Sequence, residues 1–127
     1  MIEVLLATVP FYVYDGDTIR LTNNPPSFRL VGLDTAEIAG KCEAEKRLAG
    51  LARDRLRALI ASDPQAKLTE VLCYGSNFGR RCGVIKVKGV DVAITLVRER
   101  YADPFSCGSR GCPKRRDWCQ TTPSTTP

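Results

Sequence analysis

Residues 15–37 decide the fold, and they read DGDTIRLTNNPPSFRLVGLDTAE. The apolar runs 18–21 and 28–33 each predict a β-strand, and the Asn-Asn-Pro-Pro segment between them predicts a hairpin loop. Asp17 stands just before the first of these strands, and Asp34 stands just after the second. Because antiparallel pairing brings the entrance and the exit of a hairpin to one edge, we expect Asp17 and Asp34 to lie close together.

Acidic side chains crowd both ends of this hairpin. Asp15 and Asp17 precede it, Asp34 and Glu37 follow it, and Arg29 lies within its second strand. Crowded carboxylates raise one another's pKa values, which costs stability unless a cation lies among them. The pattern therefore indicates a site for a hard metal ion beside a site for an anion. The alternative is that Arg29 is only a structural partner of Asp34 or Glu37.

The remainder of the chain alternates between strand and helix patterns. Apolar and β-branched residues predict a strand over 2–14, and apolar residues at three- and four-residue spacing predict a helix over 43–61. Two further strands are predicted over 67–73 and 82–88, followed by a helix over 92–100. This order predicts an α+β, mainly β fold: a five-stranded OB-fold barrel with two to three helices, whose face and loops bind oligonucleotides.

Length and composition limit the classes of function. The 127-residue chain carries a net charge of +5 with a pI near 9.0, which favours a polyanionic partner, a merely basic surface being the alternative. Histidine is absent, which excludes Ser-His-Asp hydrolysis and histidine-ligated zinc. No run approaches the ~20 apolar residues of a membrane span. We expect one domain over 1–119 and a disordered Thr/Pro tail over 120–127 that cannot bury a core.

Six cysteines are present, and none of their spacings is Cys-x-x-Cys, so a zinc site is not expected. An even count predicts disulfides and an oxidising compartment. We therefore expect a secreted or periplasmic protein whose leader is absent from this chain, with a cytoplasmic location left open. Of the fifteen possible connectivities, short spacing favours Cys73–Cys82 and Cys107–Cys112, which leaves Cys42 with Cys119.

The last of these disulfides would hold the C-terminal segment against the start of the first helix. That segment carries a basic and aromatic cluster, composed of Arg110, Lys114, Arg115, Arg116 and Trp118. Such a cluster either grips a nucleic-acid strand or forms a disulfide-fixed cap packed by Trp118, and the sequence leaves both alternatives open.

Several motifs together carry a family likeness. DGDT at 15–18, FRLVGLDTAE at 28–37, FGR at 78–80 and LVR at 96–98 occur in the order and spacing of the staphylococcal nuclease family. The chain resembles this family from about residue 9 to about residue 102. The resemblance implies an OB-fold, calcium-dependent nuclease that cleaves DNA and RNA and leaves 3′-phosphate and 5′-hydroxyl ends.

The resemblance also implies a set of metal ligands. Asp17 and Asp34 would be the carboxylate ligands of Ca²⁺, Thr35 would add its backbone carbonyl, and Asp15 would support the ion through water. Calcium takes hard oxygen ligands, and two carboxylates with a carbonyl and waters form an ordinary set. Glu37 would orient or deprotonate the attacking water. Ala36 stands where the family usually has proline, which loosens the turn before Glu37.

The anion site carries over in the same way. Arg29 and Arg80 would clamp the scissile phosphate, because a guanidinium bonds two phosphate oxygens at once. Arg81 is an alternative clamp if the register slips by one residue. Phe78 replaces the usual tyrosine, so that stacking is kept and a hydroxyl is lost. The structural alternative for Arg80 is that it is an ordinary charged residue of a surface loop.

A rival interpretation is a noncatalytic nucleic-acid-binding module of the OB type. A pure binder has no need of acids that repel phosphate, and Asp17, Asp34 and Glu37 are all present here. We therefore favour the nuclease interpretation, with DNA and RNA as partners. We expect a monomer with no membrane attachment and no obligate protein partner.

Overall fold

The computed structural model describes residues 2–4, 11–21, 24–73 and 81–120. The chain has an α+β fold that is mainly sheet with two helices, as the sequence predicts at this level. The strands are β1 Ile2–Val4, β2 Phe11–Asp15, β3 Thr18–Leu21, β4 Asn24–Leu30, β5 Gly32–Asp34, β6 Lys67–Val71, β7 Arg81–Val87, β8 Val90–Asp91 and β9 Asp103–Phe105. The helices are α1 Glu43–Ala61 and α2 Val92–Arg98.

The main sheet has the strand order β1-β6-β7-β4-β3-β2, and β8 extends β7. All its pairs are antiparallel except β4 with β7, which run parallel. A second sheet contains β5 and β9. Within the described residues β1 and β2 are the two edges and do not pair with each other, so closure into a barrel is not seen there.

The second strand of the predicted hairpin begins and ends earlier than expected, and the predicted loop residues Asn24, Pro25 and Pro26 belong to β4. The sequence predicts one strand over 28–33, whereas β4 ends at Leu30 and β5 begins at Gly32. Gly32 has a φ of +93°, a left-handed conformation that residues with a side chain rarely adopt. Because of this break, Asp34 leaves the main sheet and lies in the second sheet, opposite Asp103.

Both helices begin where the sequence predicts. α1 spans the predicted 43–61, and its N-cap is Cys42, whose Sγ accepts the backbone N–H of Glu45. α2 is capped by Asp91, as expected, but ends at Arg98 rather than at residue 100. Within the described residues, no helix combines the length and the apolar character required to cross a membrane.

The core lies between the main sheet and the two helices. Its fully buried side chains come from both layers and include Ile19, Phe28, Leu30, Leu56, Leu68, Ile85 and Leu96. All three disulfides have the predicted pairing: Cys42–Cys119, Cys73–Cys82 and Cys107–Cys112. The predicted disordered tail lies outside the described residues from position 121 onward.

Candidate active site

The β3–β4 hairpin places Asp17 beside Arg29. Thr18 pairs with Arg29 across the two strands, and the backbone N–H of Leu30 donates to the carbonyl of Asp17 at 2.8 Å. Gly16 brings the turn close to Thr35, since a Cβ at that position would lie 2.7 Å from Thr35 Cγ2. The turn therefore requires glycine for this close approach, and Asp17 lies against the segment that follows β5.

Arg29 joins the two predicted carboxylate ligands. Its Nη2 lies 3.2 Å from Asp17 Oδ2 and 3.3 Å from Asp34 Oδ1, and it also lies 3.5 Å from the carbonyl oxygen of Leu33. Both carboxyl side chains are buried, and Arg29 is only 13% exposed. The structure therefore brings Asp17 and Asp34 to the same nitrogen atom. The two acids are close together as predicted, although Asp34 reaches Arg29 from the second sheet rather than from the hairpin itself.

Asp17 is the most perturbed acid of this site. It accepts the backbone N–H of Thr35 at 3.1 Å, while Asp15 Oδ1 accepts the backbone N–H of Asp17 at 3.3 Å. Burial, together with the nearby Asp15, raises the pKa of Asp17 to about 7 even though Arg29 acts in the opposite direction. The available positive charge is therefore insufficient to keep Asp17 at the pKa of an ordinary aspartate.

Arg115 is a member of the site that the sequence argument did not assign to it. Its Nε lies 3.0 Å from Asp34 Oδ1 and 3.1 Å from Asp34 Oδ2. Its Nη1 lies 3.1 Å from Glu37 Oε2, and its Nη2 lies 3.5 Å from the carbonyl oxygen of Thr35. One side chain, itself 43% exposed, thus contacts two of the three predicted calcium ligands and the predicted base.

The C-terminal segment that carries Arg115 is held at several points. Trp118 is buried against Ala36 and Ala49, and its Nε1 donates to Asp34 Oδ2 at 3.3 Å. Arg116 pairs with Asp103 of β9 and stacks over the ring of Trp118. The Cys42–Cys119 disulfide then fixes the end of the segment to α1. The sequence left open whether this segment grips a nucleic-acid strand or forms a disulfide-fixed cap packed by Trp118. These contacts agree with the cap.

A sequence signal for Arg115 existed in the predicted disulfide. Cys42 follows Glu37 by five residues, and Cys119 follows Arg115 by four. Pairing these two cysteines therefore brings Arg115 within reach of Glu37. The pairing does not state which of the neighbouring basic residues faces the acids, because that depends on the burial of Trp118.

Glu37 lies at the open side of the cluster and is 49% exposed. Its backbone N–H donates to Oε2 of the buried Glu45, whose Oε1 accepts the N–H of Lys41. Glu45 therefore anchors the loop between β5 and α1 from the first turn of the helix. This positioning residue was also missed, because at the sequence level it reads as an ordinary charge on the helix.

Two buried polar atoms of the site have no hydrogen-bond partner within the described residues: Arg29 Nε and Thr35 Oγ1. A buried donor or acceptor that is left unpaired costs about 1–3 kcal/mol. Both atoms lie in residues that the family resemblance assigns to ligand binding, Arg29 through its guanidinium and Thr35 through its backbone carbonyl. The site therefore has unused hydrogen-bonding capacity next to its two buried carboxylates.

The remaining predicted residues have different positions. Arg81 opens β7 and makes a two-point ion pair with Glu70, and its guanidinium stacks on the ring of Phe28. Phe78 and Arg80 lie outside the described residues. Of the two predicted phosphate clamps, only Arg29 therefore has a described position.

The donor set agrees with the chemistry of calcium. Asp17 and Asp34 supply carboxylate oxygens, Thr35 supplies a carbonyl and a buried hydroxyl, and all are hard oxygen donors. Among the described residues no group of three or more His, Cys, Asp or Glu side chains is arranged to hold a metal ion. Any ion at this position would therefore depend on backbone and water oxygens, and on displacement of Arg115 from Asp34.

A cavity of about 550 Å³ borders the site on the side of Arg29. Its walls are mostly apolar and include Leu30, Leu33, Val84 and Phe105. Asp91 lines the cavity together with Arg29, so its charged residues are of both signs, and its apolar walls suit a ligand with an apolar part. The sequence matches no protein-family model, and a search of curated proteins returns no match.

Proposed function

We propose that this protein is a calcium-dependent nuclease of the staphylococcal nuclease type, which hydrolyses phosphodiesters of DNA and RNA to 3′-phosphate and 5′-hydroxyl ends. The observation that carries the proposal is the meeting of Asp17 and Asp34 at Arg29 Nη2. Two buried acids, one from the turn between β2 and β3 and one from β5, converge there on one guanidinium. Burying two acids side by side costs desolvation free energy that Arg29 does not fully offset at Asp17, whose pKa stays raised, so ligand binding accounts for the cluster better than stability does.

The oxygen donors support a calcium ion held by Asp17, Asp34 and the carbonyl of Thr35. When bound, such an ion polarises a phosphoryl oxygen and acidifies a bound water. The pKa of Asp17, raised to about 7 by burial, supports the same assignment, since that acid lacks sufficient positive charge around it. The Oγ1 of Thr35, which has no hydrogen-bond partner in the part of the chain that the structure describes, adds a further oxygen beside these donors.

Arg29 is proposed to bind the scissile phosphate. Its Nε has no partner among the described residues, and its side chain borders the cavity of about 550 Å³. Phosphodiester hydrolysis gathers negative charge on the phosphoryl oxygens, so a preorganised guanidinium stabilises the transition state more than the ground state. Arg80 remains the proposed second clamp, and Phe78 and Arg81 remain proposed contacts to the nucleic acid.

Glu37 is proposed to orient or accept a proton from the attacking water. It is half exposed, and its backbone is anchored by Glu45, so its carboxylate can turn without losing its position in the loop. In the structure its Oε2 pairs with Arg115. Arg115 must therefore leave both Glu37 and Asp34 before either acid can take the proposed role.

The proposed scaffold is a barrel of the OB type. Strands β2, β3 and β4 form a meander, β6 and β7 form a hairpin, and β4 pairs with β7 in parallel, which supports such a topology. The three disulfides support a secreted or periplasmic location, because disulfides persist in oxidising compartments. A monomer remains the expected state in solution.

The test is incubation of the oxidised protein with plasmid DNA and with RNA, in calcium or in chelator, followed by analysis of the product ends. We expect cleavage in calcium only, with 3′-phosphate ends. Asp17→Asn is expected to abolish it, whereas Asp63→Asn, an exchange of the same kind in a turn outside the site, is expected to leave it unchanged. Equal cleavage in chelator would contradict the proposal.

The second candidate is a noncatalytic nucleic-acid-binding module. One observation favours it: Asp34 already accepts hydrogen bonds from Arg29, Arg115 and Trp118, so its charge is compensated without an ion. In that case the same incubation would give a chelator-insensitive shift of the nucleic acid on a gel and no cleaved ends.

A further inference from the structure

Residues 115–119, which we call the strap, cover part of the candidate site. Arg115 Nε lies 3.0 and 3.1 Å from the two carboxylate oxygens of Asp34, and its Nη1 lies 3.1 Å from Glu37 Oε2. Its Nη2 lies 3.5 Å from the carbonyl oxygen of Thr35. These groups are among those proposed above to hold calcium and the attacking water. A positively charged guanidinium therefore contacts the oxygens that a calcium ion would need, and the two compete.

The strap is anchored at its far end by a covalent bond. Cys119 forms a disulfide with Cys42, which is the N-cap of α1 and lies 77 residues earlier in the chain. Noncovalent anchors act beside it, since Trp118 is buried and Arg116 pairs with Asp103. A tether raises the effective concentration of the group that it holds. The disulfide therefore keeps the strap on the acids more of the time than the noncovalent contacts would by themselves.

Arg115 is the member of the site that can leave. Its side chain is 43% exposed, so its guanidinium can be solvated without movement of the core. Asp34 keeps a cation after this departure, because Arg29 Nη2 lies 3.3 Å from its Oδ1. Glu37 is 49% exposed and can be solvated as well. The strap can therefore open while the buried cluster of Asp17, Asp34 and Arg29 stays in place.

The Cys42–Cys119 disulfide has the features of a reducible bond. Both of its cysteines are half-buried, whereas Cys82 of a second disulfide is fully buried. Cys42 Sγ accepts the backbone N–H of Glu45 at 3.4 Å in the first turn of the 19-residue helix α1. A thiolate at a helix N-terminus is stabilised, and a more stable thiolate is the better leaving group. Glu45 Oε1 lies 3.9 Å from Cys119 Sγ, so negative charge is less favourable there and Cys42 is the sulfur that leaves.

We propose that the Cys42–Cys119 disulfide is a redox switch: while it is closed, the strap holds Arg115 on the acids, and reduction by a dithiol releases it. The inference rests on the proposed function and adds the regulation of the same site. In an oxidising compartment the strap stays closed, because disulfides persist there. The site then gains calcium affinity only where a dithiol is present.

The reaction is a thiol–disulfide exchange in two steps. A thiolate of the dithiol attacks Cys119 Sγ and forms a mixed disulfide, while the Cys42–Cys119 bond breaks and Cys42 leaves as a thiolate that takes up a proton. The second thiol of the dithiol then loses its proton and displaces Cys119 from the mixed disulfide. The dithiol ends as a disulfide, and two electrons and two protons have passed to Cys42 and Cys119.

The test follows reduction of the oxidised protein by dithiothreitol. Calorimetry measures calcium affinity before and after reduction, alkylation with mass spectrometry identifies the reduced cysteines, and circular dichroism checks folding. Quenching by acrylamide reports the accessibility of Trp118, which is the single tryptophan of the chain. Three variants are compared with the wild type: a tether variant with Cys42→Ser and Cys119→Ser, a loop variant with Cys107→Ser and Cys112→Ser, and Arg115→Gln.

In the wild type, reduction should raise calcium affinity roughly two- to tenfold and increase the quenching of Trp118. Cys42 and Cys119 should be alkylated before the buried Cys82. The loop variant keeps the tether and should respond in the same way. The tether variant should have the higher affinity from the start and should not respond to the dithiol. In Arg115→Gln, reduction should still increase quenching, but calcium affinity should not change.

The outcomes separate this inference from the proposed function. Equal calcium affinity of the wild type before and after reduction, the same response in the tether variant, or loss of the folded spectrum on reduction would overturn the switch and leave the proposed function intact. A gain in affinity that persists in Arg115→Gln would overturn the role of Arg115. A wild type that binds calcium more tightly after reduction but cleaves neither DNA nor RNA contradicts the nuclease proposal alone. No calcium binding by any form contradicts both.

Discussion

Two arginine clusters of this protein use the same chemistry in opposite ways. Arg55 of α1 pairs with Glu99 at the end of α2 in a two-point geometry, with Nε–Oε1 at 2.6 Å and Nη2–Oε2 at 2.9 Å. Arg29 contacts two buried acids with a single nitrogen at 3.2 and 3.3 Å and leaves its Nε unpaired within the described residues. The Nε of the exposed Arg55 thus has a carboxylate partner, whereas the Nε of the buried Arg29 has no partner within the described residues.

The contrast between the Arg55 pair and the Arg29 cluster bears on where a ligand can bind. An exposed ion pair contributes little to stability, yet here both the Nε and the Nη2 of Arg55 donate to a carboxylate oxygen of Glu99. A buried cluster would have to satisfy every donor and acceptor if stability were its purpose, because unpaired buried groups are costly. Within the described residues, Arg29 and Thr35 each have one buried polar atom without a hydrogen-bond partner, and the neighbouring Asp17 has a raised pKa. This pattern is typical of a functional site, where perturbed groups await a ligand.

The contrast between Arg29 and Arg55 would be wrong if replacing either residue by alanine had the same effect on stability and on activity. Arg29→Ala leaves two buried acids without their shared cation, and such a loss typically costs about 3–5 kcal/mol of stability. Nuclease activity should fall by at least ~10²–10³, the usual effect of losing one transition-state donor. Arg55→Ala should change neither quantity appreciably. Urea denaturation and cleavage assays measure both, and Arg29→Lys, which keeps the charge, should restore stability more than activity.

The buried cluster should also show itself in the pH dependence of stability. The pKa of Asp17 is raised from 3.8 to about 7 in the folded protein, so the folded state keeps a proton that the unfolded chain releases. Stability measured in chelator should therefore fall as the pH rises from about 4 to about 7. Asp17→Asn should remove this decline. If the free energy of unfolding of the two proteins changed with pH in the same way, the raised pKa of Asp17 would be contradicted.

Arg115 covers the acids of the Arg29 cluster, and replacing it tests whether it competes with a metal ion. Arg115→Ala frees Asp34, Glu37 and the carbonyl of Thr35, and a charge-assisted hydrogen bond is worth about 1.5–3 kcal/mol. Calcium should therefore bind roughly 10–100-fold more tightly, as measured by calorimetry. Arg110→Ala removes the same charge from the same segment and should leave the affinity unchanged. Weaker binding in Arg115→Ala would mean that Arg115 supports the ion rather than competing with it.

The Cys42–Cys119 disulfide should have a smaller effect of the same sign. With Cys42→Ser and Cys119→Ser, Arg115 remains attached through Arg116 and Trp118, but its effective concentration at Asp34 falls. Calcium affinity should rise by roughly two- to tenfold. Cys107→Ser with Cys112→Ser serves as the control, since that disulfide closes a separate loop. Equal changes in both double variants would exclude a specific role for the tether.

Much of the fold and part of the site follow from local sequence patterns. The helix over 43–61, the cap at Asp91 and the hairpin that brings Asp17 to Asp34 each depend on a few neighbouring residues. The disulfide pairing was predictable because two of the three loops are short. The break at Gly32 was not predicted, because an apolar run that contains one glycine reads as a single strand.

Local sequence patterns specified the acids, the arginine between them and the hairpin that sets Arg29 beside Asp17, because hairpin pairing and helix periodicity are local properties. Only the tertiary structure decided that Asp34 turns into a second sheet, that Glu45 anchors the loop before α1, and that Arg115 returns from the C-terminal segment to contact three parts of the site. These contacts join residues up to 81 positions apart. Whether these contacts form depends on how the core packs, because packing sets which distant segments lie side by side. No local sequence pattern contains that information.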